Sequence, residues 1–173
     1  NGHMLATGDE YRQVPYNMAS LFEFDWLGKV FREYEIPNGV HHDIRELPNG
    51  DFLCASNATD LFASGTREDV AIVVDRSTGA VSRSFDFRTI LDEARDPYTH
   101  FHPDIKKQGN VDWMHLNGVQ WDSRDGGLIV SSPIQSMVVK LDPVTQGPRW
   151  ILGSPEGYGP GSAHLARFLL RPV

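Results

Sequence analysis

Apolar residues in this chain come in short bursts, separated by Asn-Gly or Asp-Gly pairs and by polar turns led by aspartate. The opening "NGHMLA" has the shape of "NGDFLCA" at 49–55, and "RDGGLIVSS" at 124–132 is a looser third copy. In each copy a pair that tolerates positive φ precedes an alternating or fully apolar run, the pattern of a tight turn feeding a half-buried or buried strand. A second signal follows each copy: "SLFEFDWLGKVFREYEI", "AIVVDRSTGAVSRSFDF" and "MVVKLDPVTQGPRWILG" all read strand, turn, strand, with Asp25, Asp75 and Asp142 leading the turns. The recurring unit is therefore four short strands.

Units of four strands repeating at about 40 to 50 residues predict an all-β chain, a β-propeller in which each blade covers the apolar face of the next. A sandwich would also give short strands, but has no reason to repeat the same two hairpins in the same order. Two interruptions predict short helices outside the blades: "DFRTILDEAR", where Phe87, Ile90, Leu91 and Ala94 share a face before Pro97, and "SAHLARFLLRP", with Leu165, Phe168 and Leu169. The Gly/Pro-rich "GSPEGYGPGS" lacks a strand-to-helix frame and reads as a loop rather than a phosphate cradle. The 173 residues hold about three and a half units, whereas closed propellers use roughly four to eight blades. The expectation is one partial β-propeller domain over residues 1–173, three to four blades belonging to a longer protein.

Composition narrows the partners. With 23 acidic against 16 basic residues, a net charge of -7 and no basic run, an electrostatic grip on nucleic acid is not expected. Stretches such as "AIVV" and "LIV" are too short to cross a bilayer, so no membrane partner is expected either. Cys54 has no second cysteine to pair with and sits in a strand pattern, which reads as a small core residue. A small-molecule ligand is the expectation that remains.

The seven histidines concentrate in "HHD" (His41, His42), "THFHPD" (His100, His102) and "DWMHLN" (His115). Inner strands of different blades line one channel, so residues distant in sequence can meet there. Aligning "HHDIREL" with "HLNGVQW" sets Ile44 over Val119, His42 over Asn117 and Val40 over His115. Strand alternation then puts His42, Ile44 and Glu46 on one face and turns His41 and Asp43 the other way. Against this stands the plainer reading, in which each histidine bonds a backbone carbonyl or a carboxylate, Trp113 and Met114 are packing residues, and Asp112 caps a turn. His100 and His102, with Asp104, have ligand-like spacing, but "THFHPD" also reads as an exposed loop, and no metal site is assigned.

"HHDIRELPNGDFL", then "DWMHLNGVQWD", "LIVSSPIQSMVVKLD" and "RWILG" together resemble the bacterial arylsulfate sulfotransferases, over nearly the whole chain. The resemblance implies a six-bladed propeller, periplasmic or secreted. It implies a reaction that moves a sulfuryl group from an aryl sulfate donor to a phenolic acceptor through a histidine intermediate, with no nucleotide donor and no cofactor. Carried onto this sequence, the motif places catalytic histidines at His42 and His115, and substrate binding at Asn117, with His41 beside them. The family's arginine after a Ser-Ser pair is replaced, for Ser131-Ser132 is followed by Pro133. The histidine that accepts the sulfuryl group in the family falls in a later blade, beyond the end of this chain. Arg45 and Arg149 are the cations considered as substitutes, and Trp113 and Trp121 the aromatics considered for stacking on a phenol.

Three functional classes follow. One is sulfuryl transfer with only part of the site on this chain, for which histidine suits the chemistry because its reference pKa of about 6.5 lets it act as nucleophile, acid or base. The second is a non-catalytic propeller, a binding or scaffold module derived from that family, which Pro133 favours. The third is a metal-dependent hydrolase built on His42, His115 and the His100/His102 loop. Open sheet edges also allow a homodimer.

Overall fold

The computed structural model describes residues 2–7, 18–57, 65–66, 69–95, 106–107 and 110–171. They form antiparallel sheets stacked face to face as propeller blades. The first blade holds β1 (Met4–Thr7), β2 (Met18–Phe24) and the first part of β3 (Val30–Glu46). β3 does not stop at the blade's edge. Its first part pairs with β2, from Val30 opposite Phe24 to Glu35 opposite Ser20, and its second part pairs with β4 (Phe52–Ser56), from Val40 opposite Ser56 to Glu46 opposite Phe52. One strand is thus the outer strand of one blade and the inner strand of the next. β5 (Val70–Val74) and β6 (Val81–Asp86) complete the second blade. A small hairpin, β7 (Lys106–Lys107) and β8 (Asn110–Val111), precedes the third blade of β9 (Gly118–Asp122), β10 (Gly127–Ser132), β11 (Met137–Leu141) and β12 (Pro148–Gly153).

The turn signals act as their chemistry dictates. Gly2, Gly50 and Gly126, one in each copy of the repeat, have φ of 74°, 90° and 69°, a region closed to most side chains. Asp25, Asp75 and Asp142 each bond their own turn: Oδ1 accepts from Leu27 and Lys29 at 2.9 and 3.0 Å, from Thr78 at 2.7 Å, and from Val144 and Thr145 at 2.9 Å. All these turns lie at one end of the blades, called here the lower end.

Alternation then sorts the second blade's side chains into two cores. Phe52, Cys54, Val70, Ile72 and Val74 face the first blade, where they meet Leu21, Tyr34 and Ile36. Leu53, Ala55, Ala71, Val73 and Phe85 face the third, against Leu116, Val119, Leu128, Val130 and Val139. Buried on both sides, β4 and β5 carry no exposed residue, and each aliphatic side chain so buried stabilises by about 1.5–3 kcal/mol. Cys54 lies among them, its thiol pushed up to about 12 by burial.

The expected helices are 3₁₀ turns, Phe87–Thr89 and Ala163–Phe168. Phe87, Ile90, Leu91, Leu165, Phe168 and Leu169 all pack on the core between the second and third blades, while Ala94 is exposed. These segments therefore cover the core instead of lying apart from the blades. Helices this short have too little internal stability to set their own course, and packing decides it.

Candidate functional site

At the upper end, the inner strands of the second and third blades begin side by side. Ile44 pairs with Cys54 and Val119 with Val130, so these two occupy equivalent rungs, as the alignment expects. Above them the strands differ. β9 continues its ladder with Gly118 opposite Ser131, whereas β3 goes from Ile44 directly to His41 opposite Ala55, leaving His42 and Asp43 outside the ladder. The residue level with Gly118 is therefore His41, and His42 has no counterpart on β9. The equivalence of His42 with Asn117 and the common face of His42, Ile44 and Glu46 do not hold, because a bulge ends the two-residue alternation on which both rested.

The bulge nonetheless brings the histidines together. The His42 and His115 rings lie 4.9 Å apart between centroids at 54°, and the His41 ring meets that of His42 edge-on at 5.2 Å. Both close neighbours sit on left-handed backbone, His42 with φ 56° and His115 with φ 46°, two of the four non-glycine residues with positive φ among those described. For residues with a Cβ this conformation costs about 1–2 kcal/mol, which the surroundings must offset.

Those surroundings are visible. The Asp43 carboxylate accepts the backbone N–H of Val119 at 3.1 Å, crossing from one blade to the next, and receives Arg45 Nε at 3.2 Å. Asp43 thus reaches toward the third blade, not away from it as alternation implied. His115 Nδ1 lies 2.6 Å from Oδ2 of buried Asp112. The loop carrying His115 is clasped through its carbonyls: Ser132 Oγ donates to Met114, and Gln135 Nε2 donates to Trp113 at 2.8 Å. Buried Arg95 in turn donates to the Gln135 carbonyl at 2.5 Å and to that of Ser154 at 2.8 Å.

His41 donates Nε2–H to the Ser56 carbonyl at 3.0 Å and is half-buried, whereas His42 is exposed. Asn117 donates its backbone N–H to the Ser131 carbonyl at 3.0 Å and exposes its side chain. Pro133 is exposed in the turn from β10 to β11, where its carbonyl accepts from Ser136. Other candidates lie elsewhere. Trp113 is 3% exposed and donates Nε1–H to buried Asp69 at 3.2 Å, a core residue and not a stacking platform. Trp121 lines a lower-end cavity of about 490 Å³ with Arg45, Leu47 and Gln120. Arg149 pairs there with Asp142 at 2.7 Å and Asp125 at 3.0 Å, which removes it as a substitute cation. His100, His102 and Asp104 lie outside the described residues; among those described, no three His, Cys, Asp or Glu side chains are grouped to hold a metal ion.

Sequence reasoning missed the roles of Asp43, Ser132 and Gln135, and read Asp112 only as a turn cap. An aspartate three residues before a histidine was a usable signal for Asp112; the others act through contacts between blades that no local pattern announces.

Two imidazoles so placed can direct N–H groups at one anion, or a lone pair and an N–H at two atoms of one ligand. Comparison with known proteins bears on which. A family model described as Arylsulfotransferase (ASST) matches residues 1–173. Two relatives named Arylsulfate sulfotransferase AssT, from Escherichia coli O6:H1 (strain CFT073) and Lelliottia amnigena, are 28% and 27% identical to this chain, each alignment covering 88% of the chain and 30% of the relative. The chain thus spans about 30% of the length of those relatives. Similar solved structures include the WD40 β-propeller domain of Doa1, with TM-score 0.44 and 18% identity over 80% of this chain and 32% of that one. Kuenenia stuttgartiensis hydrazine synthase has TM-score 0.47 and 13% identity over 84% and 32%.

Proposed function

Because the chain belongs to the arylsulfotransferase family, we propose that its upper end supplies part of a site that transfers a sulfuryl group from an aryl sulfate ester to a phenol. The observation carrying this reading is the meeting of His42 and His115 at 4.9 Å across a blade boundary, each on left-handed backbone.

A sulfate monoester reacts, by analogy with phosphoryl transfer, through a loose transition state, so the protein mainly positions groups and stabilises charge on oxygen. In the first half-reaction a histidine nitrogen from another blade bonds to sulfur while the aryl O–S bond breaks. The phenoxide leaves with that electron pair and takes a proton from an imidazolium. In the second, the acceptor's oxygen bonds to sulfur, the N–S bond breaks, and an imidazole takes the phenol's proton. His42 and His115 bind the sulfuryl oxygens and carry the proton, and Asn117 is a neutral donor. The exported location implied by the resemblance belongs to the same proposal.

The test is the full protein supplied with an aryl sulfate and a phenol. Transfer to the phenol is expected, with a sulfurylated histidine trapped when the acceptor is withheld, and His42→Ala or His115→Ala should each lower the rate by about 10²–10³. Absence of both transfer and adduct retires the reaction. The second reading, a non-catalytic binding module, is favoured by Pro133 standing where the family carries a cation; it gains if both alanine variants leave the protein's function unchanged.

A further inference from the structure

We propose that Asp112 is a positioning residue that holds His115 in one tautomer, with the proton of the neutral ring on Nδ1 and the lone pair on Nε2. The inference deepens the reading above and rests on it for its functional consequence, though not for its structural content. An ionised carboxylate only accepts hydrogen bonds, so at 2.6 Å the proton between Asp112 Oδ2 and His115 Nδ1 belongs to the imidazole. Asp112 is 8% exposed, which keeps water from competing for that bond. The backbone leaves the pair little freedom, because the carbonyls of Trp113 and Met114 between them are held by Gln135 and Ser132.

The consequence concerns which atom does chemistry. With Nδ1–H committed to Asp112, Nε2 alternates between a lone pair and an N–H as the ring gains and loses its second proton. Proton transfer to a departing phenoxide, or from an incoming phenol, therefore runs through Nε2. The ring keeps its orientation through both half-reactions, because the Nδ1–H bond to Asp112 exists in either protonation state.

Asp112→Asn separates charge from shape. An amide can accept from Nδ1–H through its oxygen or, flipped, donate to a bare Nδ1, so the tautomer is no longer imposed. In the full protein labelled with ¹⁵N-histidine, at a pH where His115 is neutral and with its signals assigned by their loss in His115→Ala, Nδ1 should show the protonated type of shift and Nε2 the bare type. In Asp112→Asn the two types should mix or exchange. Sulfuryl transfer should fall by about 10²-fold, in kcat and not in KM. A wild-type spectrum with the proton on Nε2 overturns the proposal whether or not the variant folds, and so does a folded variant that keeps both tautomer and rate. An intact Nδ1–H signature in a protein that transfers no sulfuryl group retires the reaction and leaves the dyad standing.

Discussion

The two ends of the blades are built on different terms. At the lower end, backbone and charge agree: three aspartate-led turns bond themselves, and glycines take the left-handed positions except in the Asp142 turn, where Gln146 has φ 59°. Buried Glu23 there gathers Arg76, Tyr34 at 3.0 Å and His3 at 2.6 Å, joining the first blade to the second. At the upper end Gly39 and Ser136 are left-handed too, but so are two histidines, in a conformation that glycine would take more cheaply, and the inner strand of the second blade leaves its ladder to bring them together. The lower end contributes stability and repeats in every blade. The upper end consumes some of that stability and differs from blade to blade, as expected of a site where strain is retained for a purpose.

The comparison can be broken in four places, all in the full protein. Deleting His42 and Asp43 together would restore to β3 the unbroken ladder of β9. Transfer should fall by about 10²–10³, while the unfolding free energy in urea changes by no more than about 2 kcal/mol. Global unfolding would show that the bulge is structural. Glu23→Gln should do the reverse. Arg76 chiefly, with His3 and Tyr34, lowers the Glu23 carboxyl from 4.5 to about 2. A depressed carboxyl stabilises the fold fully above its unfolded pKa and loses that contribution as pH falls through the folded one. The variant should lose up to about 3 kcal/mol at pH 7, the deficit closing as pH falls from about 4.5 toward 2, with the rate per folded molecule unchanged.

Smaller effects sharpen the boundary between the ends. Asp43→Ala removes the acceptor of Val119 N–H. It should cost about 1–2 kcal/mol in unfolding free energy and roughly tenfold in transfer rate, since the strap between blades sets where His42 stands. Gly118→Ala would bring a Cβ to 2.8 Å from Ser131 Oγ and 3.9 Å from Asp43 Oδ2. The hydroxyl can rotate away, so a cost of about 0.5–1.5 kcal/mol by thermal unfolding is expected, with a rate loss smaller than that of Asp43→Ala.

Most of the lower end was legible before any coordinates. Asn49-Gly50, Asp75 and Asp142 act through bonds to residues two to four positions away, and a local pattern records local bonds. Phe52 and Leu53 read in sequence only as part of a half-buried or buried strand, and the structure divides the two between separate cores. The histidine pair was reached only in part. That His42 and His115 would share an axis followed from the repeat, but the face assigned to His42 came from an alternation that the strand abandons at that residue. For Trp113 the plainer of the two sequence readings holds: it is a packing residue, bonded to Asp69, and not a platform for a phenol.

The sequence by itself determined the repeating four-stranded unit, its turns and the family to which it belongs, because each is written in contacts between near neighbours or in motifs of adjacent residues. Only the tertiary structure decided that two residues leave the ladder, that Asp43 ties one blade to the next and that Asp112 holds His115. The reason is physical: a bulge at a histidine is unfavourable in isolation, and it persists only through bonds supplied by another blade.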